Sequence, residues 1–418
     1  MTTLSPAPRP ASLTLAQRPA HWWRTFGRPP RLMGLDVARG LAILGMVGAH
    51  IGGVGDLVIF DASTWAGIVH GRPSILFAVL AGVSIALMTG RTQPPSVDAL
   101  PRIRLQLVGR GAVIFLIGLF LELLHSPVAV ILTLYGLLYV VAIPFLRWRI
   151  RSLLLLAGAL ALIGPALLAG LHALMLVPTG PGLGLTLYGM YPLTVWATLM
   201  FAGLALGRMP LGRARVQVGC LVSGALLAIA GGVLGAWGHA AAAEIGWMTE
   251  PSGITTTWED YGERLASLDP WSMVIGAITA GAPHSAGTAE IIGSGGFAIL
   301  VIGACLLISG PLRWVLLPLA ALGSMPLTAY TAHVISIVVV GSPGGFPVDP
   351  AFWGATTVAL LVGATAWSMF VGRGPLERLT GAAAQAMAGQ AIDTAKYFAL
   401  QSRYEPASEP ARGGRLGA

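Results

Sequence analysis

Two ionisable side chains within one apolar stretch form the first candidate site. Residues 35–53 begin with Asp36 and Arg39, continue through small and apolar residues, and reach His50 near the end. In a helix, the eleven-residue separation of Arg39 and His50 corresponds to roughly 16 Å along the axis and returns the chain to nearly the same face. Ionisable groups within a membrane-length helix are costly unless a site uses them. The spacing therefore predicts a cationic group at one end and a general base at the other.

The arginine end of this stretch allows two interpretations. Asp36 and Arg39 are three residues apart, so they can form an ion pair on one helix surface, where such a pair contributes little stability. Alternatively, the planar guanidinium of Arg39 binds phosphate, with Arg110 as a second candidate. Gly45 and Gly48 lie between the two ends, where they permit either close helix packing or the approach of a ligand.

Composition identifies the class of protein. Of 418 residues, 55% are hydrophobic and 10% are charged, whereas a soluble domain has about 25% charged residues. The chain therefore lacks enough polar residues to cover a soluble surface, and we expect an integral membrane protein. The net charge of +8 comes from short arginine clusters between apolar segments, which is typical of membrane topology and not of nucleic-acid binding.

The apolar segments predict an all-α polytopic protein, a bundle of about ten transmembrane helices. They lie at about residues 35–53, 73–90, 105–124, 128–146, 152–176, 191–207, 216–237, 288–309, 315–341 and 351–372. With the N-terminus inside, every arginine-rich short loop is also inside, as the positive-inside rule requires. Both termini are then predicted to be cytoplasmic.

Three regions follow from this topology. Residues 1–31 are rich in proline and arginine and predict a disordered cytoplasmic tail, residues 32–380 form the membrane domain, and residues 381–418 form a cytoplasmic C-terminal tail. The membrane domain carries two larger external loops, at 54–72 and 238–287.

Most histidines fall at or near the predicted external ends of the helices, and His50 is the first choice as catalytic base. His70 and His284 are the alternatives, and Asp61 or Glu122 is a candidate to orient the imidazole. A further group is predicted to contact the substrate or an oxyanion: Arg72, Glu122, Ser285, Tyr330 and His333.

Metal and nucleotide motifs are not found in the sequence. The external histidines lack the i,i+3 or i,i+4 spacing of a helical metal site, and both cysteines, Cys220 and Cys305, lie within apolar segments. We therefore expect no metal and no disulfide framework.

Four motifs resemble the transmembrane acyltransferase superfamily, in particular heparan-α-glucosaminide N-acetyltransferase-like and YeiB-type bacterial membrane proteins. The first helix of these proteins is similar to residues 35–47, and the second to residues 65–84 with its Leu-Phe-Ala-Val-Leu-Ala-Gly-Val-Ser segment. Residues 323–330 and 374–377 resemble the C-terminal half of the YeiB-type proteins.

The resemblance implies transfer of an acyl group, often acetyl, from cytoplasmic acyl-CoA to a hydroxyl or amine of an extracytoplasmic glycan or lipid. It also implies a bacterial cell membrane and a cofactor-binding group of Asp36, Arg39, Gly45, Gly48 and Arg110. His50 stands where the glycan-decorating relatives carry a histidine in their first helix. The heparan-type enzymes instead carry their catalytic histidine in the following loop, where this chain has Asp61.

Two other functions remain open from the sequence. Ten helices with intramembrane ionisable groups also suit a transporter or flippase of an envelope precursor. A third possibility is an envelope protein that keeps the fold without catalysis. The acceptor, the acyl chain and the oligomeric state, a homo-oligomer included, are open as well.

Overall fold

A computed structural model describes residues 14–55, 61–174, 181–187, 190–241, 257–267 and 269–404. Within these residues the protein is entirely helical, with sixteen α-helices, two 3₁₀ helices and no strand. The all-α prediction is therefore confirmed.

The helices follow the apolar segments of the sequence closely. They are α1 (Gln17–Thr25), α2 (Met33–Ile51), α3 (Arg72–Met88), α4 (Leu100–Leu123), α5 (Leu132–Val141), α6 (Ile150–Leu174), α7 (Pro181–Thr186), α8 (Leu193–Gly207), α9 (Ala214–Ala241), α10 (Trp258–Ser267), α11 (Pro270–Thr279), α12 (Thr288–Ile308), α13 (Arg313–Gly323), α14 (Pro326–Gly341), α15 (Pro350–Phe370) and α16 (Pro375–Tyr404). The 3₁₀ helices span Ala62–Val69 and Ile143–Phe145.

Six of these helices are long and apolar enough to cross a membrane: α2, α4, α6, α9, α12 and α15. Two bent pairs raise the number to eight if each is one crossing, namely the first 3₁₀ helix with α3 and α13 with α14. The remaining predicted crossings correspond to α5, with 10 residues, and α8, with 15. Both are shorter than the roughly 20 residues that span a bilayer. The chain is thus a multi-pass membrane protein, while the number of ten crossings stays a prediction.

A sharp break between α13 and α14 has a local cause. The two helices meet at 71°, and Pro326 occupies the first position of α14. Proline provides no backbone N–H and disfavours helical geometry in the residue before it, here Met325. The carboxylate of Glu377 accepts from the amides of Leu327 and Thr328 at 2.8 and 3.1 Å, and so caps the new helix.

Helix α2 packs against several neighbours, including α3, α12, α13, α14 and α15. The approach of α13 is the closest, because a Cβ atom at Gly323 would collide with the carbonyl oxygen of Asp36. Small residues allow such close helix contacts. The first apolar stretch of the sequence is therefore a central element of the bundle, with both of its ends in contact with later helices.

Helices form within parts of both predicted tails. Residues 17–25 form α1, although 1–31 was predicted to be disordered, because buried Trp22 donates its indole N–H to Ser368 at 2.9 Å. At the other end, α16 continues to Tyr404 through much of the predicted tail 381–418. Its residues Ala383 and Met387 lie against Gly109 of α4, so this part of α16 packs on the bundle.

Candidate active site

One end of α2 contributes His50 to a small cavity between α2, α3, α14 and several connecting segments. This outer cavity has a volume of about 30 Å³. It is lined by Met46, Ala49, His50, Val69, Gly71, Pro73, Ser74, Ile131, Tyr191, His284 and Tyr330. Two of the three predicted base candidates, His50 and His284, are therefore brought to the same space.

Behind His50 lies a second histidine, His333 of α14. The Nδ1 atom of His50 is 3.0 Å from Nε2 of His333, and the two rings are stacked with an angle of 3° between their planes. His333 is only 1% exposed. A hydrogen bond between two neutral rings needs one donor nitrogen and one acceptor nitrogen, so the tautomers of the two histidines are linked.

Tyr330 lies one turn before His333 on α14 and reaches the outer cavity. Its hydroxyl is buried and has no hydrogen-bond partner among the described residues. Buried hydroxyl groups are almost always paired in folded proteins. A phenolic O–H left free beside a histidine is therefore suited to donate to a negatively charged oxygen that develops during a reaction.

A carboxylate within α12 organises the loop that carries His284. Glu290, 5% exposed, accepts from the backbone amides of His284 at 2.6 Å and Ala286 at 2.8 Å. Both loop residues have positive φ, 63° and 55°, a conformation that non-glycine residues adopt rarely. The sequence analysis missed Glu290, although an acidic side chain within an apolar helix was a usable signal.

The environment of His284 favours its neutral form. Burial lowers the pKa of His284, and nearby His70 lowers it further, while a hydrogen bond that the ring donates to the backbone of Met190 acts in the opposite direction. The ring also makes an edge contact with Tyr191, with centroids 5.5 Å apart. His70 itself is half-buried, between Val69 and Gly71, which both line the cavity.

Asp61 and Glu122 do not orient His50 in the structure. Asp61 is exposed and accepts from the amide and hydroxyl of Ser63 at 3.0 and 2.7 Å, which caps the first 3₁₀ helix and holds the Asp61 pKa below its usual value. Glu122 accepts from the Thr133 hydroxyl at 3.1 Å. The side chain that contacts His50 is instead His333, and no spacing in the sequence could pair these two histidines.

Arg72 and Ser285 also have other partners than an oxyanion. The Arg72 guanidinium lies over the Phe297 ring, 5.7 Å from its centroid, and the Ser285 hydroxyl donates to Glu290 at 3.3 Å. Of the group predicted to contact substrate, Tyr330 lines the outer cavity and His333 contacts His50.

A second, inner cavity of about 110 Å³ lies toward the other end of α2. Its lining includes both predicted phosphate-binding arginines together with aromatic and polar side chains: Arg39, Phe77, Leu80, Ala81, Ser84, Arg110, Ile114, Leu132, Tyr135, Tyr139, Pro326, Leu327, Glu377 and Thr380. Arg39 is fixed by Asp36 at 2.8 Å and by the Ser84 hydroxyl at 2.9 Å. Asp36 also binds Arg31 at 2.6 Å. Glu377, the last residue of the 374–377 motif, had no predicted role; it lines this cavity and caps α14.

The two cavities are arranged along the same helices. Residues of α2, α3 and α14 line both, and Tyr135 of α5 separates them. Its ring lines the inner cavity next to Phe77, with centroids 5.4 Å apart, while its hydroxyl donates to the carbonyl of Ser74 in the wall of the outer cavity at 3.1 Å.

Gly45 and Gly48 face protein side chains and not the cavities. A Cβ atom at Gly45 would collide with Pro73, and one at Gly48 would lie 3.3 Å from the Trp353 ring. Their role in the structure is close packing, the first of the two interpretations from the sequence.

Comparison with known proteins gives a family match over the first half of the chain. Residues 31–236 match the family model described as heparan-alpha-glucosaminide N-acetyltransferase, catalytic. No curated protein matches the chain. The matched stretch includes Arg39, His50 and Arg110, whereas His284, Tyr330 and His333 follow it. The resemblance predicted from the sequence is therefore confirmed over residues 31–236, just under half of the chain, which match the heparan-alpha-glucosaminide N-acetyltransferase family model.

Proposed function

We propose that the protein transfers an acyl group, most simply acetyl, from cytoplasmic acyl-CoA to a hydroxyl or amine of an extracytoplasmic glycan or lipid. One observation carries the proposal: a histidine at one cavity and an arginine at the other stand on a single helix, and both cavities lie along the same helices. The arginine-rich end of the bundle then faces the cytoplasm of a bacterial cell, and the histidine end faces outward.

The inner cavity holds the donor in this proposal. Arg39 and Arg110 bind phosphate groups of acyl-CoA, because guanidinium groups make paired, charge-assisted hydrogen bonds to phosphate oxygens. Asp36 and Ser84 hold the Arg39 fork in place at 2.8 and 2.9 Å, so little side-chain entropy is lost when the donor binds. The thioester arm extends from there toward the outer cavity.

Phe77 and Tyr135 stand on the path of this arm. Their ring pair separates the two cavities, and the Tyr135 hydroxyl is tied to Ser74. Movement of these rings admits the thioester to His50. Such gating also keeps water away from the donor until the acceptor is present.

His50 is the base in the reaction. If its Nδ1–H donates to Nε2 of His333, the Nε2 lone pair of His50 is free to remove the proton of the acceptor hydroxyl or amine. The acceptor oxygen or nitrogen then attacks the thioester carbonyl carbon. Tyr330 donates to the resulting oxyanion, and the thiolate of CoA leaves with the proton from His50.

His333 contributes by fixing the tautomer and by stabilising the charged ring. A hydrogen bond becomes stronger when its donor is an imidazolium, so the 3.0 Å contact favours the state in which His50 has taken the proton. Direct attack by the acceptor is proposed in preference to an acyl-histidine intermediate, although either route uses the same ring.

The test is transfer of label from acetyl-CoA. Purified protein in lipid nanodiscs is incubated with radiolabelled acetyl-CoA and with glycan and lipid fractions of a bacterial envelope. We expect wild-type protein to label one fraction and His50→Gln to lose at least about 100-fold in rate, the usual contribution of a general base. His21→Gln is the matched control, because His21 is exposed on α1, away from both cavities.

Two outcomes contradict the proposal. Full activity of His50→Gln, at matched expression and folding, removes His50 from the mechanism. Saturable binding of an envelope precursor without acyl transfer favours the transporter or flippase, a class in which broken helices such as α13–α14 are common.

A further inference from the structure

A third cavity lies at the arginine-rich end of the bundle, apart from the two that the proposed function uses. Its volume is about 390 Å³, within the range of small-molecule sites. The lining comes from the loop after α3, the loop before α6, the start of α6 and the end of α8: Thr92, Pro94, Trp148, Arg149, Ile150, Arg151 and Arg208. We refer to these seven residues as the basic pocket.

The charge of the basic pocket is entirely positive. Three of the lining residues are arginines, and no carboxylate is among the seven. Arg149 and Arg151 form no ion pair with any described residue. Like charges that line one pocket repel one another, so a negatively charged ligand stabilises the pocket.

Arg208 is a fixed cation in the wall and not a mobile surface side chain. It is 3% exposed, and its guanidinium donates to the carbonyls of Thr89, Arg91 and Leu146 at 3.0, 3.0 and 2.9 Å. These bonds tie together the end of α3, the turn before the α6 loop and the end of α8. This part of the wall is therefore preorganised, and the Arg208 charge is balanced by carbonyl dipoles and by the Thr89 hydroxyl, 2.9 Å away.

The beginning of α6 adds directed donors to this charge. Helix α6 starts at Ile150 and has 25 residues, and the amides of its first turn have no acceptor within the helix. Basic residues at a helix N-terminus are unfavourable next to the positive end of the helix dipole. Arg149 and Arg151 occupy this position. An anion bound there offsets the repulsion between these arginines and the positive end of the helix dipole.

The edge of the pocket is apolar. Trp148 is 40% exposed and makes an edge contact with the Phe145 ring, with centroids 4.8 Å apart. Pro94 and Ile150 complete this edge. Tryptophan at a membrane surface lies at the level of the lipid headgroups, so the pocket combines phosphate chemistry with an apolar rim.

We propose that the basic pocket binds a phosphate group, carried either by an anionic phospholipid or by free phosphate. The proposal does not depend on acyl transfer, because none of the seven residues lines the inner or outer cavity. A bound lipid headgroup would anchor the loops before α4 and α6 to the membrane surface.

The experiment compares wild type with the double variant Arg149→Gln/Arg151→Gln, in which Arg208 and its structural bonds are kept. The matched control is Arg147→Gln, because Arg147 is exposed in the same loop and does not line the pocket. Native mass spectrometry with dioleoyl-phosphatidylglycerol, and with phosphatidylcholine for comparison, measures lipid binding. Calorimetry with inorganic phosphate measures binding of a soluble ligand.

We expect wild type to bind phosphatidylglycerol or inorganic phosphate saturably, with an affinity that falls at least tenfold in the double variant and stays within twofold in Arg147→Gln. Phosphatidylglycerol alone showing this pattern identifies a lipid headgroup, and inorganic phosphate showing it identifies a soluble ligand. The proposal is overturned if wild type binds none of these probes, if the double variant binds them equally, or if Arg147→Gln loses as much. Acyl transfer is measured separately on the same preparations, so failure of one proposal is distinguishable from failure of the other.

Discussion

The two ends of α2 carry side chains with different chemical properties. At its beginning, Arg39 is held by a carboxylate and a hydroxyl, Asp36 and Ser84, and faces the larger inner cavity. At its end, His50 contacts another histidine, His333, beside a small cavity. Tyr330 lines this cavity, and its hydroxyl has no hydrogen-bond partner among the described residues. One end offers fixed positive charge, which suits binding. The other offers neutral groups that can exchange protons, which suits chemistry.

This contrast separates binding from catalysis in measurable terms. Loss of a contact made equally in the ground state and the transition state raises KM alone, whereas loss of a contact made only in the transition state lowers kcat. Variants at the arginine end should therefore change the affinity for acyl-CoA, and variants at the histidine end should change the rate.

The largest effect is expected at His333. His333→Leu removes the acceptor for Nδ1–H of His50, and we expect kcat to fall about 100-fold with little change in KM. His333→Gln can still accept that hydrogen bond and should recover part of the loss. Steady-state acyl-transfer kinetics measures both. Wild-type kcat in the leucine variant would remove His333 from the mechanism.

Substitution of Arg39 should give the next largest effect, a loss of affinity for acetyl-CoA. Arg39→Gln removes one charge-assisted contact, worth roughly 1.5–3 kcal/mol, so acetyl-CoA affinity should fall about 10- to 100-fold by calorimetry. Arg31→Gln is the matched control, because Arg31 binds the same carboxylate, Asp36, but does not line the inner cavity. Equal losses in both variants would mean that only the Asp36 cluster matters.

Glu290 should have a smaller effect on the histidine end. Glu290→Gln keeps one acceptor oxygen but leaves one of the amides of His284 and Ala286 without its partner. The loop should loosen, with faster hydrogen exchange at these amides and a loss of about tenfold in kcat. Ser285→Ala removes only the 3.3 Å contact to Glu290 and should change neither. Unchanged exchange in Glu290→Gln would show that the carboxylate does not hold the loop.

The smallest effect concerns pH. The folded-state pKa of His284 is lowered by burial, so the unfolded chain binds more protons below its ordinary value of about 6.5. The stability present above pH 6.5 should therefore decrease as the pH falls toward the lowered pKa. The drop in unfolding temperature between pH 7 and pH 5 should be smaller in His284→Gln than in wild type, by a few degrees. An identical pH dependence in both proteins would contradict the assignment.

Much of the fold could be predicted from periodicity and composition, because long apolar segments become helices wherever water is excluded. The short helices were less accessible. Residues 128–146 were apolar throughout, yet α5 covers only Leu132–Val141, and Pro144 lies within the 3₁₀ turn that follows. Helices α1 and α16 were missed because they are polar or short, and Trp22 and Gly109 secure them through contacts with distant helices.

The site was predicted as separate residues and not as an arrangement. His50, Arg39, Tyr330, His333 and His284 were all identified from residue type and position. Their pairing was not, because His50 and His333 are 283 residues apart and no local spacing links them. Arg39 was found with its Asp36 partner because that contact lies within one helix turn. Glu290 was overlooked, and Glu377 was noted only as part of a motif, since each carboxylate accepts from the backbone of a segment that the sequence does not connect to it.

The contact between His50 and His333 also has a consequence for how the protein is made. Helix α2 leaves the ribosome with Arg39 and His50 in place. The ring that completes the histidine pair comes from α14, near the end of synthesis. A chain that has inserted only its family-matching half, residues 31–236, has neither His333 nor Tyr330. Nascent and truncated chains should therefore be inert toward acyl-CoA, and chemistry begins only when insertion of the late helices is complete.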